Sequence, residues 1–242
     1  GTPVVNIIEK SPEEKISEII PVKEFSDNEY LVMVTKNGVI KKTPASEYES
    51  IRKSGKIAIT LKEGDELISI FKTTGNDNIF LATRNGMAIC FNENDARAVG
   101  RTASGVKAID LADGDYVVGA EPVREDSKVL LVTDGGYGKC TDLTSFRIQH
   151  RGGKGLKAYK ITEKTGNIIG ISMVNDSEEL IMVTSEGVVI RIRIKDIATT
   201  TGRITQGVRL INLNDGVIVV SMDKISAEDT VEEESEENNT EV

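Results

Sequence analysis

The residues of this chain best equipped for chemistry are its bases and the glycines set among them. Gln149-His150-Arg151-Gly152-Gly153-Lys154-Gly155 combines glycines that let a backbone approach an anion, an arginine that can grip two oxygens, and a lysine that adds a point charge. That is chemistry for phosphate. A nucleotide-binding P-loop is excluded, because it places Ser or Thr after Gly-Lys and a helix behind, whereas here Gly155 and a strand-like run follow. A glycine-rich connector that merely permits a tight turn is the structural alternative, and both readings can hold. Further bases lie at Arg52, Lys53, Lys56, Arg97, Arg101, Lys107, Arg147, Lys157, Arg203 and Arg209, and in short apolar runs at Lys41, Lys42, Lys139 and Arg191. Isolated clusters of this kind are usually a solvated surface. Recurrence at a fixed spacing would instead give a curved row of charge suited to a bent phosphate backbone.

No set of residues points to catalysis. His150 is the single histidine and has no nucleophile at a recognisable spacing, so contact with phosphate or solvent is expected of it. Cys90 and Cys140 provide neither a zinc ligand set nor a convincing disulfide. They read as small core or surface residues of a chain in a reducing cytoplasm. No metal and no cofactor are expected.

The elements that must position the bases are strands. Hydrophobic residues make up 38% of the 242 and aromatics only 4%, with no Trp, so the core must be aliphatic, which favours β-structure. No apolar run approaches the length of a membrane helix, and Gly1 to Lys10 lack the order of a secretion signal. The formal charge is −9, but the segment from 226 to 242 holds eight acids and no base, which leaves 31 acids against 30 bases in the body. The expected organisation is therefore a body over 1–225 and a disordered acidic tail over 226–242.

Self-similarity organises the body. Four apolar runs end in Thr-x-x-Gly, at Thr35/Gly38, Thr83/Gly86, Thr133/Gly136 and Thr184/Gly187, so the threonines stand 48, 50 and 51 residues apart. An arginine followed by glycine and alternating apolar residues recurs at Arg52/Gly55, Arg101/Gly105, Arg151/Gly155 and Arg203/Gly207. A third run follows each, beginning near Asp65, Asp115, Asn167 and Gly216, and Gly1 to Ile8 resembles a fifth, truncated copy. Asn37-Gly38 and Asn85-Gly86 predict two-residue type I′ hairpins. Gly55 to Leu61 alternates as a half-buried strand should, Ala45 to Ile51 and Ser11 to Ile19 invite a helix, and the latter reads as a turn or one helical turn. About fifty residues and four strands per unit predict an all-β propeller or pinwheel with four complete blades and a partial one, as a closed ring or an open arc.

The residues that choose among repeat families are Gln149 to Gly155, Gly1 to Ile8, Thr133 to Lys139 and the acidic tail. Together they resemble the C-terminal DNA-wrapping domain of the bacterial DNA gyrase A protein, whose signature heptapeptide Gln-Arg-Arg-Gly-Gly-Lys-Gly is matched at six of seven positions, His150 departing. In that family the box lies in the first of six blades, so the resemblance makes the four hairpins here blades three to six and Gly1 a strand inside the second. It implies a noncatalytic module that bends or wraps duplex DNA for a type II topoisomerase. Its partners would be duplex DNA, the rest of the gyrase A protein and, through it, the gyrase B protein, with no membrane. None of Tyr30, Tyr48, Tyr116, Tyr137 or Tyr159 lies in a helical cleavage-domain context, so none is expected to cleave DNA. The DNA-binding residues it implies are Lys41, Lys42, Arg52, Lys53, Lys56, Arg101, Lys107, Lys139, Arg147, Gln149, His150, Arg151, Gly152, Gly153, Lys154, Gly155, Lys157, Arg191, Arg203 and Arg209. The alternatives are a protein-binding propeller scaffold and the related topoisomerase IV domain.

Overall fold

The computed structural model describes residues 13, 16, 18–50 and 55–226. The truncated copy at Gly1 to Ile8, Arg52, Lys53, most of the segment from Ser11 to Ile19 and the tail from 227 onward lie outside the described residues.

Sixteen strands among the described residues form four small sheets. The first repeat supplies β1 (Tyr30–Thr35), β2 (Val39–Pro44) and β3 (Leu67–Thr73), and the second β4 (Asn78–Thr83), β5 (Met87–Asn92), β6 (Val106–Lys107) and β7 (Val117–Pro122). The third supplies β8 (Lys128–Thr133), β9 (Tyr137–Asp142), β10 (Leu156–Lys157) and β11 (Ile168–Val174). The fourth supplies β12 (Glu179–Thr184), β13 (Val189–Arg193), β14 (Thr199–Thr200), β15 (Val208–Arg209) and β16 (Val219–Ile225).

Each Thr-x-x-Gly closes an antiparallel hairpin, but not by the expected type I′ turn. A type I′ turn needs positive φ at both central residues. Only the glycine has it, with Gly38 at 77° and Gly86 at 85°, while Asn37 and Asn85 do not. Gly38 N–H donates to the Thr35 carbonyl at 3.0 Å and Gly86 N–H to that of Thr83 at 3.1 Å, which makes a type I turn followed by a left-handed glycine. The threonine earns its place through its hydroxyl. Thr35, Thr83, Thr133 and Thr184 Oγ1 accept from the backbone N–H of Val39, Met87, Tyr137 and Val188 at 3.1–3.2 Å, inside the fold. The acids that open the third run cap the same turns: Asp65 Oδ1 accepts from Asn37 N and Asp115 Oδ1 from Asn85 N, at 2.9 and 3.0 Å.

The fourth strand of each blade is the larger departure from expectation. The orders are β3-β1-β2-β6, β7-β4-β5-β10 and β11-β8-β9 with β14 and β15 both on the outer side of β9, so each outer strand comes from the following repeat. Val39 pairs with Lys107, Ala88 with Leu156 and Gly138 with Val208. The last sheet, β13-β12-β16, has no outer strand among the described residues. The first repeat's own alternating segment, Gly55 to Leu61, is not a strand, and Ile57 is 64% exposed. Ala45–Tyr48, where the sequence invites a helix, is a single 3-10 turn.

Blades stack face to face. Val32, Val34 and Ile40 of the first pack on Ile79, Leu81, Ile89 and Phe91 of the second. Phe80, Ala82, Ala88 and Cys90 pack on Val129 and Leu131 of the third, whose Leu130, Val132 and Cys140 meet Leu180 and Met182 of the fourth. The inner strands β3, β7, β11 and β16 surround a central cavity of about 340 Å³ lined by Ser69, Ala120, Ile171 and Met222. Consecutive inner strands pack side by side, and no contact of comparable extent joins β16 back to β3 among the described residues.

Candidate nucleic-acid interface

Being outermost, β6, β10 and β15 lie on the periphery of the propeller. Their second residues are Lys107, Lys157 and Arg209, all exposed, one on the rim of each of the first three blades. The swap therefore turns a base that recurs in sequence into a base that recurs around a rim. Arg97, Arg147 and Lys154 are exposed in the same connecting segments. Lys107 Nζ lies 2.7 Å from Asp110, whose carboxyl it holds below the usual carboxylate range. Arg209 donates from Nε and Nη2 to the Tyr137 hydroxyl at 3.1 and 3.0 Å and lowers the phenol's pKa.

The Gln149–Gly155 loop runs along the outer side of the second blade and into β10. Gly155 takes φ of 74°, and a Cβ there would stand 2.4 Å from the Ala88 carbonyl, so the close approach of loop to strand needs glycine. Gly152 N–H donates to the Ala108 carbonyl at 2.6 Å, the Gly153 carbonyl accepts from Asp110 N, and Gln149 N–H reaches Cys90 O at 2.8 Å. Gln149 Nε2 is buried with no hydrogen-bond partner among the described residues. Arg151, expected from the sequence to sit exposed on a loop, is instead half-buried. Its Nε donates to Asp95 O at 2.7 Å and its Nη1 to Lys107 O at 2.9 Å. Asp95 Oδ2 lies 3.2 Å from both the Arg151 N–H and His150 Nδ1, and His150 is almost wholly exposed. Lys154 and Gly153 face solvent.

A sequence model described as the DNA gyrase C-terminal domain, beta-propeller, matches residues 29–74, 77–124, 127–175 and 178–226, one match per blade. The chain belongs to the DNA gyrase C-terminal domain family. The DNA gyrase A protein of Clostridium acetobutylicum is 48% identical over 242 residues, covering 100% of this chain and 29% of the relative. That of Halalkalibacterium halodurans is 53% identical over 236 residues, covering 98% and 28%. The chain thus spans less than a third of the length of these relatives. Among solved structures, the C-terminal domain of DNA topoisomerase IV superposes with a TM-score of 0.89 at 29% identity, over 100% of this chain and 76% of that one. A DNA gyrase A C-terminal domain gives 0.81 at 25%, over 93% and 75%.

Within this gyrase-type domain, several bases expected at the surface are interior. Lys41 and Lys139 are 1% and 0% exposed because alternation along β2 and β9 turns them inward beside Met33 and Leu131, Lys139 toward the second blade and Lys41 onto the face of the first blade that turns away from the second. Lys41 Nζ donates to the carbonyls of Ala58 and Arg101, and Lys139 Nζ to those of Gly202 and Arg203. Burial, with the guanidinium of Arg101 or Arg203 second, pulls each ammonium down to about 8. Lys42, also buried, pairs with the fully buried Glu93 at 3.2 Å and lies over the Tyr30 ring. These three tie strands to neighbouring loops and turns inside the fold and are not presented to a phosphate. Lys56 donates to Glu47 O, Arg101 to Ile57 O and Arg203 to Lys157 O, while Arg191 pairs with Glu179 on the face of the last blade. Cys90 and Cys140 are free and buried, which pushes both thiols up to about 11. Sequence reasoning misses Glu93 and Asp95, which receive Lys42 and Arg151. The available signal is that Glu47 and Asp95 occupy the same place in successive 3-10 turns, each ahead of the arginine it meets.

Proposed function

We propose that this domain binds duplex DNA along its outer rim and bends it, without cleaving it, as the C-terminal part of a gyrase A protein. The observation that carries this is the exposed base at the same point of three consecutive outer strands, Lys107, Lys157 and Arg209, supported by Lys154 and Arg147 in the adjoining loops. A convex row of point charges with no shared apolar pocket favours backbone contacts, so recognition rests on phosphates and on how readily the duplex bends. The reaction itself, its tyrosine and its use of ATP belong to the remainder of the enzyme, which also brings the gyrase B protein, and the domain works in the cytoplasm on the chromosome. No cofactor is needed for rim binding. No helix among the described residues is long and apolar enough to cross a membrane.

The test is a titration of labelled duplex DNA at several salt concentrations. With roughly six phosphates contacted, affinity falls on the order of a thousandfold between about 50 and about 200 mM salt, with little sequence preference. A salt-independent affinity would point to a protein-binding scaffold.

A further inference from the structure

One hydrogen bond occurs three times at the same place in the repeat. Arg101 Nη1 donates to Ile57 O at 2.9 Å, Arg151 Nη1 to Lys107 O at 2.9 Å, and Arg203 Nη1 to Lys157 O at 3.1 Å. Each arginine thus reaches back one repeat to the carbonyl of the second residue after the preceding glycine. At Ile57 the bond forms where there is no base, so it reads backbone position and not side-chain charge. At Lys107 and Lys157 that same residue carries the rim charge.

We propose that Arg151 and Arg203 are positioning residues for the rim, each fixing the backbone of the base one blade back, Lys107 and Lys157 respectively, and not phosphate grips. This rests on the reading of the rim as a DNA surface. Strands β6 and β10 are two residues long, so their own ladder holds them weakly. For β6 the loop of the next repeat adds two further ties, Arg151 to Lys107 O and Gly152 N–H to Ala108 O at 2.6 Å. Arg151 also gives Nε to Asp95 O, which sets the plane of its guanidinium. A planar fork spanning two fixed carbonyls is geometry an ammonium cannot reproduce.

The consequence is coupling between residues far apart in sequence. A lysine that contacts one phosphate contributes about one unit to the slope of log affinity against log salt. Lys107→Ala should remove about one unit, Arg151→Ala about the same unit, and the double variant still about one. Arg151→Ala with Lys157→Ala should lose about two, since those residues do not touch. Arg151→Lys keeps the charge but not the fork and should behave like Arg151→Ala. Amide exchange at Val106 to Ala108 should quicken in Arg151→Ala without DNA, a readout independent of binding. The Arg203 and Lys157 pair repeats the experiment elsewhere should Arg151→Ala fail to fold. Additive slope losses for Arg151 and Lys107, or a full slope in Arg151→Lys, would overturn the positioning role while leaving the DNA reading intact. Salt-independent binding by the unsubstituted chain would overturn both.

Discussion

At the scale of single residues, burial decides which bases serve the surface and which the interior. Lys41 and Lys139 carry ammonium groups whose pKa falls from 10.5 to about 8 on folding. Between these values the unfolded chain holds protons that the folded chain has released, so their contribution to stability is full above 10.5 and lost as pH falls through 8. From pH 8 to 9 this amounts to about 1 kcal/mol per lysine. The cysteine thiols act oppositely, weakly from pH 8 to 9 and fully between 9 and 11, because they ionise first in the unfolded chain. Urea unfolding at pH 8 and 9 should therefore show a gain in the parent chain that Lys41→Met with Lys139→Met abolishes. The same double variant should bind DNA as the parent does, whereas Lys157→Ala weakens binding with an unchanged melting temperature. From sequence, the basic character of the rim was legible at Lys107, Lys157 and Arg209 because those bases repeat in phase. The interior fate of Lys41 and Lys139 was not, since the apolar Val39-Ile40 before Lys41 and the glycine before Lys139 give no strict alternation that would assign a face.

At the scale of elements, hairpins were legible because each turn carries its own chemistry: a threonine that caps and a glycine at positive φ, joined in the first two blades by an acid that caps from the next run. The identity of the fourth strand was not, because a period of two says that a segment pairs and nothing about its partner. Gly55 to Leu61 shows this well, having the right pattern and no strand to lie against among the described residues. The glycine that opens each outer strand should be intolerant of change. Gly155→Ala would place a methyl 2.4 Å from Ala88 O at φ of 74° and should cost about 2 kcal/mol or more, through left-handed strain and the displaced backbone. A denaturant midpoint measures that loss, and a midpoint equal to the parent's would show that β10 is not held as described. Gly187→Ala, at φ of 79° with open space around it, carries the strain alone and should cost about 1 kcal/mol.

At the scale of the molecule, the passing of strands from repeat to repeat leaves one edge over. In β13, Val189 is 62% exposed and no neighbour covers its outer side among the described residues. Unpaired edges recruit other chains. Light scattering should detect self-association of the domain at high concentration that Val189→Lys suppresses without lowering the melting temperature, and an unchanged scattering curve would locate the sticky surface elsewhere. The same arrangement bears on how such a domain can change over generations. Each repeat after the first covers the edge of the one before it and bares one of its own, so inserting or deleting a whole repeat leaves the tally of bare edges where it was. Blade number is then free to drift by duplication or loss in a way that a propeller of self-contained sheets, stitched shut by one fixed first and last strand, would not allow.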